Sequence, residues 1–222
     1  MATVLVIGAS RGIGLEFVGQ YREAGERVIA TARDDAGLAR LRELGAEALR
    51  VDVAEPTSVS GLAWQLEGEK IDVALYVAGV FPQGSARTPP TREAFDHAMH
   101  ANLLGAMQVI PQVAPLVEAA RGRFAFLSSA MAQIAGVADS RGWVYRASKA
   151  ALNMAVASAQ HDYPEAILVA ISPGWVQTDM GGASAPLSPE RSVADMRRTL
   201  ARLTPREGGR FIDHDGRPFD GW

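Results

Sequence analysis

The chain has 222 residues, 48% hydrophobic and 21% charged, which supports a folded core and excludes a disordered polypeptide. A formal net charge of −3 argues against a nucleic-acid surface built on bulk positive charge. The lack of cysteine excludes a disulfide framework, a thiolate metal site and a cysteine nucleophile.

Strands are predicted at Thr3–Gly8, Arg27–Ala32, Ala48–Val51, Ile71–Val77, Arg123–Ser128, Ile167–Ser172 and Gly209–Ile212, as nearly continuous apolar runs suited to burial on both faces. Helical spacing occupies Gly14–Ala24, Thr57–Leu66, Thr91–Val117, Tyr145–Gln160 and Glu190–Leu203. Alternation of this kind implies βαβ crossovers, hence an α/β fold: a Rossmann-type, doubly wound parallel sheet of about seven strands with helices on both faces. No repeat, low-complexity tract or linker interrupts it, so residues 1–222 read as a single domain. No apolar run approaches the roughly 20 residues of a membrane span. Met1–Ser10 lacks the basic flank of a signal peptide, and a cytoplasmic protein is expected, without membrane or nucleic-acid partners. Two loops, Phe81–Pro90 and Pro173–Pro189, follow predicted strand ends, where open α/β sheets bind ligands.

Between the first strand and the first helix lies Gly8-Ala9-Ser10-Arg11-Gly12-Ile13-Gly14. Glycines there permit a sharp turn and close backbone approach to a pyrophosphate at a helix N-terminus, whose free N–H groups favour an anion. The spacing is GxxxGxG and not GxGxxG, yet the strand–turn–helix setting is that of a dinucleotide site. Residues 8–12 also spell the G-x-S-x-G elbow of serine hydrolases, but only seven residues precede Gly8 and no earlier strand can supply the oxyanion hole. A P-loop is excluded because no Gly-Lys-Ser/Thr follows. The second strand ends Thr31-Ala32-Arg33, where a site preferring NAD places a carboxylate. Arg33 and Arg11 together suit a 2′-phosphate, so NADP (NADPH) is expected over NAD, although Asp34 follows directly.

Only two of the 22 basic residues are lysine, and one of them, Lys149, lies four residues after Tyr145 on a predicted helix. Positions i and i+4 share a face, so a phenol and an ammonium meet. A cation beside a phenol lowers its pKa from about 10 toward the range of useful proton exchange.

GASRGIG (8–14), Asp52-Val53, Ala78-Gly79, Asn102, Ser128-Ser129, YRASK (145–149) and PGWVQTDM (173–180) follow in the order and approximate spacing of the short-chain dehydrogenase/reductase family, which the chain resembles over nearly its whole length. Residues 142–154, 173–182 and 211–216 resemble the carbonyl-reductase subgroup that contains C-factor and sniffer-type proteins. The resemblance implies an oxidoreductase that reduces an aldehyde or ketone, or oxidises the alcohol, by hydride transfer. Tyr145 would be the acid/base and Lys149 its pKa-lowering partner and ribose ligand. Ser129 would bind the substrate carbonyl, with the adjacent Ser128 as the alternative, and Asn102 would hold a water linked to Lys149. The cofactor set it implies is Gly8, Ser10, Arg11, Gly12, Ile13, Gly14, Arg33, Asp52, Val53, Ala78, Gly79, Tyr145, Lys149, Pro173, Gly174, Val176 and Thr178. Asp52 would contact adenine, and Val176 and Thr178 the carboxamide.

Three features depart from the family pattern. Tyr76-Val77 replaces the usual Asn-Asn before Ala78-Gly79, Ser129 lies sixteen residues before Tyr145, and the chain after the Pro-Gly loop is short. His97 and His100 share a helix face, but no third ligand accompanies them and no metal site is expected. Trp143, Trp175, Met131, Phe81 and Met180 are candidates to line an apolar substrate pocket. The family resemblance implies a homo-oligomer, dimer or tetramer, though some members of the subgroup act as monomers. The alternative reading is a cofactor-binding regulatory or signalling protein with vestigial catalysis; retention of Tyr145, Lys149, Ser129 and Asn102 together argues against it.

Overall fold

Strands β1 (Thr3–Ile7), β2 (Arg27–Ala32), β3 (Glu47–Arg50), β4 (Val73–Tyr76), β5 (Arg123–Leu127), β6 (Ile167–Ser172) and β7 (Phe211–Asp213) form one sheet in the computed structural model, which describes residues 1–222. The order is β3-β2-β1-β4-β5-β6-β7 and every ladder is parallel. This is the doubly wound α/β sheet that the strand–helix alternation predicts. Side chains alternate across each strand, and here both faces are covered. Leu5 and Ile7 of β1 enter one core, and Val4 and Val6 the other.

The helices are α1 (Gly12–Glu23), α2 (Asp35–Glu43), α3 (Pro56–Val59), α4 (Leu62–Gln65), α5 (Arg92–Met99), α6 (Gly105–Ala119), α7 (Trp143–Ala159) and α8 (Pro189–Arg202). One core receives Val109, Val113 and Val117 of α6 with Leu152 and Val156 of α7. The opposite core receives Phe17 of α1, Leu41 of α2 and Met196 of α8.

The predicted elements differ from the observed ones in three ways with physical causes. The helix expected over Thr57–Leu66 is two short pieces, α3 and α4, and Gly61 stands between them. The long helix expected over Thr91–Val117 is divided into α5 and α6 by a π-helical turn at His100–Leu104. Helix α2 has no counterpart among the predictions, because its buried apolar side chains, Leu38 and Leu41, are too few to set a period. Its start is fixed by Asp34, whose Oδ1 accepts a hydrogen bond from Gly37 N (2.7 Å).

From β3 the chain crosses to β4 on the far side of β1. Strand order therefore reverses around β1, and the crevice beyond the strand C-termini opens there.

Candidate active site

The glycine turn lies at that reversal, and its glycines are demanded by space as well as by φ. Gly8 has φ +85°, and a Cβ there would sit 2.7 Å from Ala78 Cα. A Cβ on Gly14 would come 2.5 Å from the Gly8 carbonyl oxygen, so α1 begins in contact with the turn. Gly8 N donates to Thr31 Oγ1 (3.0 Å) and Ala9 N to Thr31 O (2.8 Å), which pins the turn to the end of β2. The resulting cleft, about 640 Å3, runs from the end of β2 past this turn to the start of α7.

At the β2 end the cleft is lined by Arg33, Asp34 and Arg40. Arg40 Nε donates to Ser10 O (3.0 Å), so the side chain lies along the glycine turn. Gly37 makes this approach possible, since a Cβ on it would be 2.9 Å from Ser10 Cβ. Asp34 is engaged in capping α2, which draws its Oδ1 toward the helix N-terminus. Asp52, after β3, accepts Ala54 N on Oδ1 (3.0 Å) and lines the cleft beside Val53.

At the other end, Tyr145 and Lys149 stand one turn apart on α7, and Lys149 Nζ lies 5.9 Å from the centre of the Tyr145 ring. Lys149 is 3% exposed and donates to Leu127 O at the end of β5 (2.7 Å). Burial pushes its ammonium down to about 7. Burial pushes the Tyr145 phenol up, and the neighbouring Ser129 hydroxyl draws it part of the way back. The sequence argument has Lys149 lowering the phenol; here desolvation acts on both groups and dominates. Phe81 packs on Tyr145 with ring centres 4.7 Å apart, and its ring also reaches Gly142, next to Met131.

Ser128 and Ser129 point to different partners. Ser128 Oγ is buried and donates to Asn153 Oδ1 (2.5 Å), whereas Ser129 Oγ accepts from Met131 N (3.1 Å) on the Tyr145 side. Asn102 sits in the π-helical turn and is wholly buried. Its Oδ1 accepts Val80 N (2.8 Å), while its Nδ2 donates to Val80 O and Ser148 Oγ (both 2.9 Å). Ser148 Oγ in turn donates to Tyr145 O (2.8 Å). Gly79 lies where a Cβ would be 3.1 Å from Asn102 Oδ1 and 3.4 Å from Lys149 Nζ. Tyr76, at the departure from the usual Asn, donates its hydroxyl to Ala101 O (2.8 Å), so a phenol ties β4 to the π-helical turn.

Beyond β6, Pro173–Met180 folds back over the glycine turn. Thr178 Cγ2 lies 3.4 Å from a Cβ position on Gly12, and Arg11 pairs with Asp179 (3.1 Å). The Pro173–Gly174 turn is braced from behind by Ser192 of α8, whose Oγ donates to Pro173 O (2.7 Å), and by His214, whose ring packs on Gly174.

The cleft wall thus holds Gly8, Ser10, Arg11, Gly12, Ile13, Gly14, Arg33, Asp52, Val53, Ala78, Gly79, Tyr145, Lys149, Pro173 and Thr178. Asn102, Ser129, Gly174 and Val176 stand behind it or at its edge and are not part of the wall. Arg40 lines it without having been singled out in the sequence, and His97 and Gln177, weighed there only as a metal ligand and as part of the 173–180 motif, line it too. Arg40 is legible only once α2 is known.

A parallel sheet with a glycine turn at its switch point, and a buried phenol and ammonium on the same cleft, is the architecture of the dinucleotide-binding oxidoreductases. The short chain dehydrogenase family model matches residues 2–186, and the chain belongs to that family. It is 44% identical to C-signal of Myxococcus xanthus over 118 residues, 52% of this chain and 71% of that protein. Among solved structures it is similar to the carbonyl reductase Sniffer of D. melanogaster (TM-score 0.91, 27% identity, all of both chains). It is also similar to a putative short-chain dehydrogenase/reductase from Burkholderia multivorans with bound NADP (TM-score 0.88, 30% identity, 100% of this chain and 99% of that one). No helix is long and apolar enough to cross a membrane.

Proposed function

We propose that the chain is an NADPH-dependent reductase of an uncharged aldehyde or ketone, acting through Tyr145, Lys149, Ser129 and Asn102. The observation that carries this reading is the buried Tyr145–Lys149 pair at the end of the glycine-turn cleft. The cleft fits a nicotinamide dinucleotide: Gly8 and Gly14 leave room only for backbone at the pyrophosphate turn. Asp52 keeps an oxygen free of the Ala54 bond for adenine. Arg33 and Arg40 offer guanidinium groups for a 2′-phosphate while Asp34 caps α2, which favours NADPH over NADH.

Bound NADPH supplies the hydride. Tyr145, held protonated by burial, donates its proton to the carbonyl oxygen as charge develops there, which suits reduction at neutral pH. Ser129 orients that oxygen beside the phenol, and Lys149 stabilises the phenolate left behind. Asn102, bonded to Val80 and Ser148, holds the turn that backs Lys149. Phe81 against Tyr145 makes the substrate end apolar. Of the charged wall residues, Arg11, Arg33, Asp34 and Arg40 belong to the glycine turn and the β2 end, Asp52 follows β3, and Asp179 is paired with Arg11, which leaves Lys149 beside Tyr145. The reading includes a cytoplasmic protein that assembles as a homo-oligomer, supported by Met107 of α6 and Met154 of α7, both more than half exposed.

The test is titration with NADPH and NADH, followed by turnover on a panel of small carbonyl compounds. Tyr145→Phe is expected to bind NADPH within about twofold of the parent and to lose at least about 100-fold in kcat. Similarity to C-signal favours one second reading, a signalling protein that uses the cofactor as a ligand. NADPH binding without turnover on any carbonyl would select it.

A further inference from the structure

Three successive residues at the end of β5 each take a partner on one face of α7. Leu127 O accepts Lys149 Nζ (2.7 Å), Ser128 Oγ donates to Asn153 Oδ1 (2.5 Å), and the Ser129 hydroxyl lies beside the Tyr145 phenol. Tyr145, Lys149 and Asn153 are spaced i, i+4, i+8, so they form one row along the helix. Two members of the row belong to the proposed chemistry; the third has no assigned role.

Asn153 is an unfavourable choice for its position if packing alone decided. It is 1% exposed between the buried apolar residues Leu152 and Val156, and its Nδ2 has no hydrogen-bond partner. A leucine of similar shape has better helix propensity and removes the orphaned Nδ2, but only at the cost of the acceptor that the buried Ser128 hydroxyl uses. What the asparagine provides is a fixed acceptor for Ser128. The Ser128 backbone is already held in the sheet, with its N donating to Ile171 O (2.8 Å), so tying its side chain to α7 fixes the orientation of both flanking peptides. One flanking peptide carries the carbonyl that anchors Lys149, and the other leads to Ser129.

We propose that Asn153 is a positioning residue of the Tyr145–Lys149 site, acting through the Ser128 hydroxyl to hold the end of β5 in register with α7. It touches neither substrate nor cofactor; it sets where Leu127 O and Ser129 Oγ point. The inference rests on the Tyr145–Lys149 reading above.

The test compares Asn153→Leu, Ser128→Ala and their double variant with the parent and with Tyr145→Phe. Asn153→Leu is expected to melt within a few degrees of the parent, because the lost Nδ2 orphan is offset by a Ser128 hydroxyl without an acceptor. It is expected to bind NADPH within about twofold, yet to lose about tenfold in kcat. Ser128→Ala is expected to lose a similar factor, and the double variant no more than either single one, because both remove the same contact. A role confined to stability predicts that activity follows the melting temperature. As a readout free of turnover, the Cζ resonance of 13C-labelled Tyr145, assigned by its absence in Tyr145→Phe, should move in Asn153→Leu as the Ser129 hydroxyl shifts. Parental kcat together with an unmoved resonance overturns the proposal. If the parent itself reduces no carbonyl, the enzymatic reading fails separately and the resonance alone decides the positioning role. If Asn153→Leu does not fold, Ser128→Ala is judged by the same two readouts.

Discussion

Arg11 and Asp179 meet at 3.1 Å across the mouth of the cleft and join the glycine turn after β1 to the loop after β6. Their side chains are 73% and 78% exposed, so the pair adds little to stability. It does occupy a guanidinium that a phosphate could claim. Asp179→Asn is therefore expected to tighten NADPH binding about two- to fivefold with the melting temperature unchanged within about 2 °C. Arg11→Ala is expected to weaken it, and fluorescence titration measures both.

Arg40 comes from the helix that periodicity does not reveal and lies along the glycine turn through its bond to Ser10 O. If it grips a 2′-phosphate, Arg40→Ala lowers the NADPH-over-NADH preference by about tenfold and leaves NADH affinity in place. Equal losses for both cofactors would instead assign it to the turn alone. Parallel titrations distinguish the two results.

Two glycines of the same region should respond in opposite senses to alanine. Gly8→Ala forces a left-handed φ and a Cβ 2.7 Å from Ala78, with a destabilisation of about 3 kcal/mol and loss of dinucleotide binding. Gly19→Ala, inside α1 with nothing within 4 Å of its new Cβ, stabilises by about 0.5–1 kcal/mol. Denaturant unfolding of the two variants checks the contrast.

Lys149 has a folded pKa of about 7, below the roughly 10.4 of an unfolded lysine. Between those values the unfolded chain carries a proton that the folded one lacks, so this group's contribution to stability rises with pH. Below pH 7 the charged ammonium is buried at full cost. Lys149→Met should therefore melt above the parent in mild acid, and the gap should narrow from about pH 7 to about pH 10. If the proposed mechanism holds, kcat/KM for reduction falls as pH rises through about 7, since Lys149 loses the charge that stabilises the phenolate while Tyr145 stays protonated. Melting curves and pH–rate profiles test the two statements separately.

The strands were the most legible part of the sequence. Arg27–Ala32 and Ile167–Ser172 match their predicted limits, because strands buried on both faces are uninterrupted apolar runs with clear ends. The π-helical turn at His100–Leu104 was not legible. It alters hydrogen bonding without altering apolar spacing, yet it sits where Asn102 is turned inward. Asn153 did carry a signal, a polar residue four positions after Lys149 on a face that continues into Val156. Its meaning required knowing that Ser128 stands opposite.

By itself the sequence determined the parallel sheet, the glycine turn and the pairing of Tyr145 with Lys149 on one helix face. Each depends on residues close together in the chain, whose spacing is converted into geometry by the 3.6-residue and two-residue periods. Only the tertiary structure decided that Ser128 turns to Asn153 while Ser129 turns to Tyr145, that Arg40 reaches the glycine turn, and that Tyr76 ties β4 to the π-helical turn. It also decided the direction in which burial shifts Tyr145 and Lys149. Those outcomes depend on which groups are brought together from distant segments and how completely they exclude water, and neither is encoded in local spacing.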